Sequence, residues 1–292
     1  MSALLFRPLT AGETVEFDSV PGVPQMSYAE GLAGGGFHPS RTWIALRDGE
    51  VVARAAWVLP PGAVGGPWLE RFDLHDSPSV GGELLTAAHD TLGGRWPYHA
   101  ALPVGWRSSP DAFEAAFAAA ELAGLSRRVE RLRFSRTTDG ARTPAADLPP
   151  QGPAAVSGSP VRPAAGPDEI RSLVARVPSP DVLTGSETAR SVLGIDLATD
   201  PLPWLTGEAT AWLVTDGGLV GTAGEACWPM IGYLGASDAP ARRALLAEAV
   251  RVLLAGGAEQ IVADVDADRT DVISDLLAAG FRPVRARLTF EA

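Results

Sequence analysis

Lysine and asparagine are absent from this 292-residue chain, and cysteine occurs once, at Cys227. Every one of its 24 basic residues is therefore arginine. Without lysine there is no Walker-type phosphate loop, no kinase strand lysine and no pyridoxal Schiff base. Without asparagine there is no N-glycosylation acceptor. A single cysteine excludes an internal disulfide and every multi-cysteine zinc site. No run of eighteen apolar residues and no basic-then-apolar leader occurs, so the sequence reads as soluble and cytoplasmic. No GxSxG elbow supports a serine hydrolase. His38, His75, His89 and His99 form neither HExxH nor an i,i+4 pair, and no metal site is expected.

What is present is ordinary globular composition, 46% hydrophobic and 20% charged, with a net charge of −11. That charge speaks against nucleic acid and anionic membranes as partners and favours the approach of cationic small molecules. From Arg136 to Pro160 apolar periodicity gives way to Pro, Ala, Gly and Ser, the composition of a semi-extended linker. It divides the chain into residues 1–135 and 161–292.

The two halves repeat one order of elements. Each opens on a strand ending in Arg-Pro (Arg7-Pro8, Arg162-Pro163) and a helix start, with Thr10 to Glu13 as a capping box and Asp168-Glu169 in a first turn. Each continues with a hairpin around Asp-Gly (Asp48-Gly49, Asp216-Gly217). A further strand follows (WLERFDLHD, MIGYLGA), then a helix carrying Leu84-Leu85 or Leu245-Leu246, then YHAALPV or QIVADVD as a strand. A helix ending at glycine and a closing strand, VERLRF or RARLTF, complete each half.

This order, with Asp216 to Ala223 and the ending Leu276-Leu277-Ala278-Ala279-Gly280-Phe281, resembles the GNAT superfamily of acyl-CoA-dependent N-acetyltransferases, twice over. The resemblance implies two tandem α/β domains, each a mixed, mainly antiparallel sheet flanked by helices. Two-domain members such as the mycothiol synthases share that architecture, with the chemistry in their C-terminal half, and the resemblance favours the C-terminal half here too, since it keeps Val220-Gly221 and Gly280-Phe281. It further implies transfer of an acetyl or other acyl group from acetyl-CoA to an amine of a small molecule or peptide, and allows a homodimer. A binding or assembly module that no longer turns over acyl-CoA is the alternative.

The family holds the cofactor pyrophosphate on a (Q/R)xxGx(G/A) loop at a helix N-terminus. In the second half that stretch is Gly235 to Leu246, with Ser237, Pro240 and Arg242 at the motif positions. The resemblance places the acyl carbonyl along Tyr233, Leu234 and Gly235 and the pyrophosphate at Ala241, Arg242, Arg243 and Ala244. A solvated helix face is the other reading of the two arginines. In the first half Gly81-Gly82 takes the place of the last loop glycine, while Asp76 replaces the basic residue and would repel phosphate. The family's helix tyrosine has no counterpart: Leu276 and Ala120 stand there. Tyr233 is then the candidate proton donor, with a core aromatic as the alternative, and Glu225 the candidate base, with a solvent-facing strand glutamate as the alternative. Cys227 reads as a small buried hydrophobe. Asp73 and His75, on one strand face, are a further acid–histidine candidate, and Gly34-Gly35-Gly36 a loop near the acceptor.

Overall fold

The computed structural model describes residues 3–10, 12–13, 17, 27–138, 160–224 and 229–292. Contacts group the chain into two units, one of residues 1–130 with 286–292, the other of residues 131–285.

The first unit runs β1 (Leu4–Pro8), α1 (Tyr28–Ala33), β2 (Thr42–Arg47), β3 (Glu50–Val58), β4 (Trp68–Leu74), α2 (Pro78–Leu92), β5 (Tyr98–Leu102) and α3 (Asp111–Leu122). Its sheet has the order β1-β2-β3-β4-β5, antiparallel except for the parallel β4–β5 pair. The β2–β3 turn puts both Asp48 and Gly49 at positive φ (52° and 92°), the conformation for which Asp-Gly is selected. Side chains alternate across β3. Ala56 joins Phe17, Tyr28, Phe37 and Ile44 on one face, and the Trp57 ring lies 5.5 Å from that of His89, on α2, on the other. The sheet is thus sandwiched between helices.

The second unit contains β7 (Arg162–Pro163), α4 (Pro167–Val174), β8 (Val182–Leu183), α5 (Ser186–Leu193), β9 (Ala211–Thr215), β10 (Gly218–Ala223), β11 (Met230–Ala236), α6 (Ala239–Ala255), β12 (Gln260–Asp266) and α7 (Thr270–Ala278). Strand order is β7-β9-β10-β11-β12, with β11–β12 parallel. Alternation divides the core here too. Val214, Leu219 and Tyr233 pack with Ile170 and Leu173 of α4, while Leu213, Val220 and Leu234 pack with Leu245, Leu246 and Leu276 of α6 and α7. The duplicated order expected from the sequence is the observed one.

One feature at each N-terminus repeats atom for atom. Arg7 donates to both carboxylate oxygens of Glu13 at 2.8 and 2.7 Å, and Arg162 to both of Glu169 at 3.2 and 2.5 Å. The backbone N–H of Thr10 or Ala165 adds a bond of 2.7 Å to the same glutamate.

The closing strands depart from the sequence reading. The two last strands are β6 (Ser126–Thr137) and β13 (Arg282–Glu291). Residues 286–290 pair antiparallel with β5 of the first unit, and residues 131–137 with β12 of the second. The boundaries drawn at 135 and 161 assign each half its own closing strand; the contacts exchange them. Both sequences alternate apolar and polar and both halves need one antiparallel strand beside the fifth, so pattern alone does not say which strand serves which sheet. Of the linker at 136–160, Arg136 and Thr137 belong to β6, and residues 139–159 lie outside the described ones.

The exchange makes the C-terminus part of the N-terminal core. Phe290 is fully buried, stacks on Tyr98 at 5.5 Å and meets Phe117 at 5.4 Å. Phe290→Ala is expected to cost about 3–5 kcal/mol, with hydrogen exchange accelerated at Tyr98–Leu102, in the first unit. Acceleration confined to the second unit contradicts the exchange. A second expectation concerns acid. The arginine partners and backbone N–H bonds lower Glu13 and Glu169 from 4.5 to about 2. A folded value below the unfolded one gives stability that is full above pH 4.5 and lost as pH falls toward 2. The thermal midpoint should decline through that window, and less steeply for the Glu13→Gln/Glu169→Gln double variant.

Candidate active site

The two fourth strands, β4 and β11, share two irregularities. Each carries a one-residue bulge against its hairpin partner: Glu70 is skipped between the pairs Trp57↔Leu69 and Ala56↔Arg71, and Gly232 between Gly221↔Tyr233 and Thr222↔Ile231. Each then touches the fifth strand at one bridge only, Leu69↔Tyr98 or Met230↔Val262. Beyond that bridge the parallel strands part and leave a strand edge inside the sheet. Such an edge presents backbone donors and acceptors that need partners.

In the second unit the chain itself supplies them. β10 covers one edge of β11 throughout, and β8 lies on the other, pairing Tyr233↔Leu183 and Leu234↔Val182. The Asp181 N–H donates to the Leu234 carbonyl at 2.7 Å, and the Thr184 N–H to that of Gly232 at 3.0 Å. On the far side the Thr184 hydroxyl accepts the Asp264 N–H at 3.0 Å and donates to the Ile231 carbonyl. The Gly185 N–H reaches the Asp264 carboxylate at 3.3 Å. Residues 181–185 fill the gap between the parted strands.

The adjoining helix mouth is equally occupied. Asp238 caps α6, its carboxylate accepting the Ala241 N–H at 2.8 Å. Arg242 is buried among carboxylates, with Asp275 at 2.8 Å, Asp271 at 2.9 Å and Asp181 at 3.7 Å. Arg243 is half exposed beside Asp275 at 3.5 Å, and Ala244 is exposed on the helix surface. A Cβ on Gly235 would stand 2.6 Å from Val177, so that backbone is covered. Each second-half residue expected at the cofactor thus already has an intramolecular partner or faces elsewhere. Glu225 and Cys227 lie outside the described residues.

Tyr233 is fully buried in the apolar cluster on the α4 face, and its hydroxyl has no hydrogen-bond partner among the described residues. Burial, with the Asp181 charge adding to it, raises the phenol well above its usual value of 10. This is the environment of a core aromatic.

In the first unit no strand among the described residues pairs with β4 beyond Leu69 on its β5 side. Glu70, half-buried at the bulge, accepts the Trp68 indole N–H at 2.7 Å. The mouth of α2 also differs from that of α6. Pro78 occupies its first turn, Ser77 makes no side-chain cap, and the Ser77 and Ser79 hydroxyls bond to one another at 2.9 Å. Asp76, which the sequence reading sets against a phosphate, is paired with Arg47 at 2.8 Å, which brings a guanidinium to this end of the helix. Gly81 and Gly82 serve another purpose. A Cβ would stand 2.7 Å from that of Ala119 and 2.8 Å from that of Leu122, so these glycines let α2 and α3 pack closely. Asp73 accepts from Arg54 at 2.7 Å and Arg71 at 3.4 Å, so its carboxylate is engaged by arginines. Gly34 ends α1, and Gly35 takes the left-handed φ of 72° after it. His89 is buried in the core, where desolvation and Arg95 lower it to about 4. His38 and Ser40 bond each other at 2.7 Å, and His99 stacks on Trp68. No group of three metal-ligating residues occurs among the described residues.

The residues missed by sequence reading are Glu70 and Arg47. The bulge that sets Glu70 apart is a shift of register against β3, which the sequence of β4 alone does not show. Arg47 comes to Asp76 from a neighbouring hairpin.

One solved structure bears on the class of fold, and two others are similar at lower scores. The chain aligns over 99% of its length with 95% of a GCN5-related N-acetyltransferase from Sphaerobacter thermophilus, at 15% identity and a TM-score of 0.54. A tandem GNAT protein from the clavulanic acid biosynthesis pathway aligns over 99% of this chain and 98% of its own, at 18% identity and a TM-score of 0.49. A GCN5-related N-acetyltransferase from Kribbella flavida covers 82% of this chain and 87% of its own, at 14% and 0.45. No family model and no curated protein sequence matches. The first of these likenesses shows the fold alone: over nearly its whole length the chain has the fold of that GCN5-related N-acetyltransferase. No helix among the described residues is long and apolar enough to cross a membrane.

The burial of Tyr233 yields a direct test. Tyr233→Phe removes a hydroxyl that has no described partner, so stability should hold or rise by up to about 1 kcal/mol, read as the thermal midpoint. A loss of more than that amount means the hydroxyl has a partner outside the described residues.

Proposed function

We propose that the protein is an acyl-CoA-dependent N-acyltransferase whose first unit takes the acyl donor, while the second is a closed copy of the same fold. The observation that carries this reading is the unequal fate of two like strand gaps: the second is filled by residues 181–185, and no described strand enters the first. Acetyl-CoA, or a coenzyme A ester of another acyl group, is the donor. An amine of a small molecule or peptide is the acceptor, consistent with an acidic protein that attracts cations.

The residues of the first unit fit this donor in two respects. The uncapped N-terminus of α2, with the Ser79 N–H and the Arg47 guanidinium beside it, offers donors and positive potential to a pyrophosphate. The β4 edge beyond Leu69 offers backbone groups to an extended amide-bearing chain, and a backbone N–H at the bulge would face the thioester oxygen. Glu70 at that bulge is the base that takes the proton from the attacking amine. Arg47 holds Asp76 and so removes the repulsion that the carboxylate alone would exert.

A second reading is supported by the filled gap itself: a fold that has closed one cleft on its own chain is suited to a binding or assembly role without turnover. Isothermal titration with acetyl-CoA, followed by an amine screen, separates the two. The acyltransferase reading expects one site per chain, weakened at least tenfold by Arg47→Glu. Glu70→Gln should keep donor affinity and lower turnover by about 10²–10⁴-fold. No binding of acetyl-CoA would favour the second reading. Binding retained in Arg47→Glu and lost in Arg242→Gln would move the donor to the second unit.

A further inference from the structure

Asp181 is an anomaly. It is 4% exposed, its Oδ2 has no hydrogen-bond partner among the described residues, and it is the residue at which the chain enters the gap beside β11. Two guanidinium groups converge on it: Arg269 binds its Oδ1 directly, and Arg242, itself buried on the first turn of α6, stands 3.7 Å away. Burial opposes its charge and the nearby Asp271 adds to that, while the two arginines and the backbone N–H of Ala236, the last residue of β11, favour it; the balance lies above the ordinary aspartate value. Two guanidinium groups and a strand-end N–H face one carboxylate position, which is the donor set of an oxyanion receptor, although Arg242 is also held by Asp275 at 2.8 Å and Asp271 at 2.9 Å. The anion inside it is a carboxylate of the protein's own chain.

We infer that residues 181–185 are a built-in substitute for a ligand: their backbone takes the strand-edge hydrogen bonds of β11, and the Asp181 carboxylate takes the oxyanion position between Arg242 and Arg269. The substitute is anchored along its length. Val177 covers Gly235, Ser179 accepts from Arg269 at 3.0 Å, and the Trp204 indole donates to the Thr184 carbonyl at 3.3 Å. Beneath it lies a latent site for a phosphate-type anion, closed because its occupant is covalently attached. The inference rests on the second-unit half of the proposed function and holds whether or not the first unit binds a donor.

The test exchanges one anion for another. In the full chain, Asp181→Ala removes the carboxylate and leaves its receptor vacant, and Asp181→Asn removes the charge and keeps the volume. Thermal unfolding with inorganic pyrophosphate reads the outcome. Asp181→Ala should unfold below wild type and recover by roughly 2–4 °C at about a hundredfold excess over its dissociation constant. Asp181→Asn and Asp181→Ala/Arg242→Gln should recover no more than wild type does. The first unit is identical in all of these chains, so pyrophosphate bound there cancels in the comparison. Equal recovery in wild type and Asp181→Ala, or recovery that survives Arg242→Gln, overturns the inference. If Asp181→Ala does not fold, amide exchange decides on wild type and Asp181→Asn. The Asp181 and Thr184 amides, bonded to β11, should be protected in wild type and exchange at least tenfold faster in Asp181→Asn. Fast exchange in wild type would show that nothing is locked there.

Discussion

A parallel pair of strands that parts after one bridge leaves backbone donors and acceptors inside a sheet, and everything else about this protein follows from how they are satisfied. Twice the chain builds that situation, at Leu69↔Tyr98 and at Met230↔Val262, and each time a bulge one or two residues further on turns the fourth strand aside. An open edge of this kind is unstable in a core unless something lies against it. A ligand can do so, and so can the chain. In the second unit β8 does, with hydrogen bonds to both flanking strands through Asp181, Thr184 and Gly185.

The exclusive use of arginine suits the ion-pair arrangement that results. A guanidinium keeps its charge when buried and can face several carboxylates in its plane, which an ammonium on a flexible stem does less well. Arg242 meets three aspartates, Asp181, Asp271 and Asp275, and Arg131 meets Glu187 and Asp266. In a chain with 11 more formal negative than positive charges, such one-to-many pairing spreads few cations over many anions. It also surrounds Arg242, at the start of α6, with acids brought in from other parts of the chain.

Local chemistry was legible in the sequence. The Asp48-Gly49 hairpin, the capping acid Glu13 with its counterpart Glu169, and the order of elements in each half all depend on neighbours within a few residues, and all appear in the structure. What escaped depends on distant pairings. VERLRF and RARLTF have the same alternation, so their exchange between sheets changes no local pattern. Val182-Leu183 is two residues long, too short for any periodicity, yet it decides whether the second cleft is open. Gly81-Gly82 was legible as a need for close backbone approach, but the approaching partner is helix α3 rather than a phosphate.

A tethered occupant and a dissociable one differ in thermodynamic consequence. A free ligand stabilises a fold by an amount that rises with its concentration and vanishes in its absence. Residues 181–185 are present at a fixed effective concentration set by the chain, so the second unit keeps its sheet closed under every metabolic condition. Asp181 enters at some cost, since its desolvation outweighs the help of Arg242 and Arg269. Removing one partner alone would cost more, since it would leave a buried charge uncompensated. The second copy is thereby held in its closed form by its own chain.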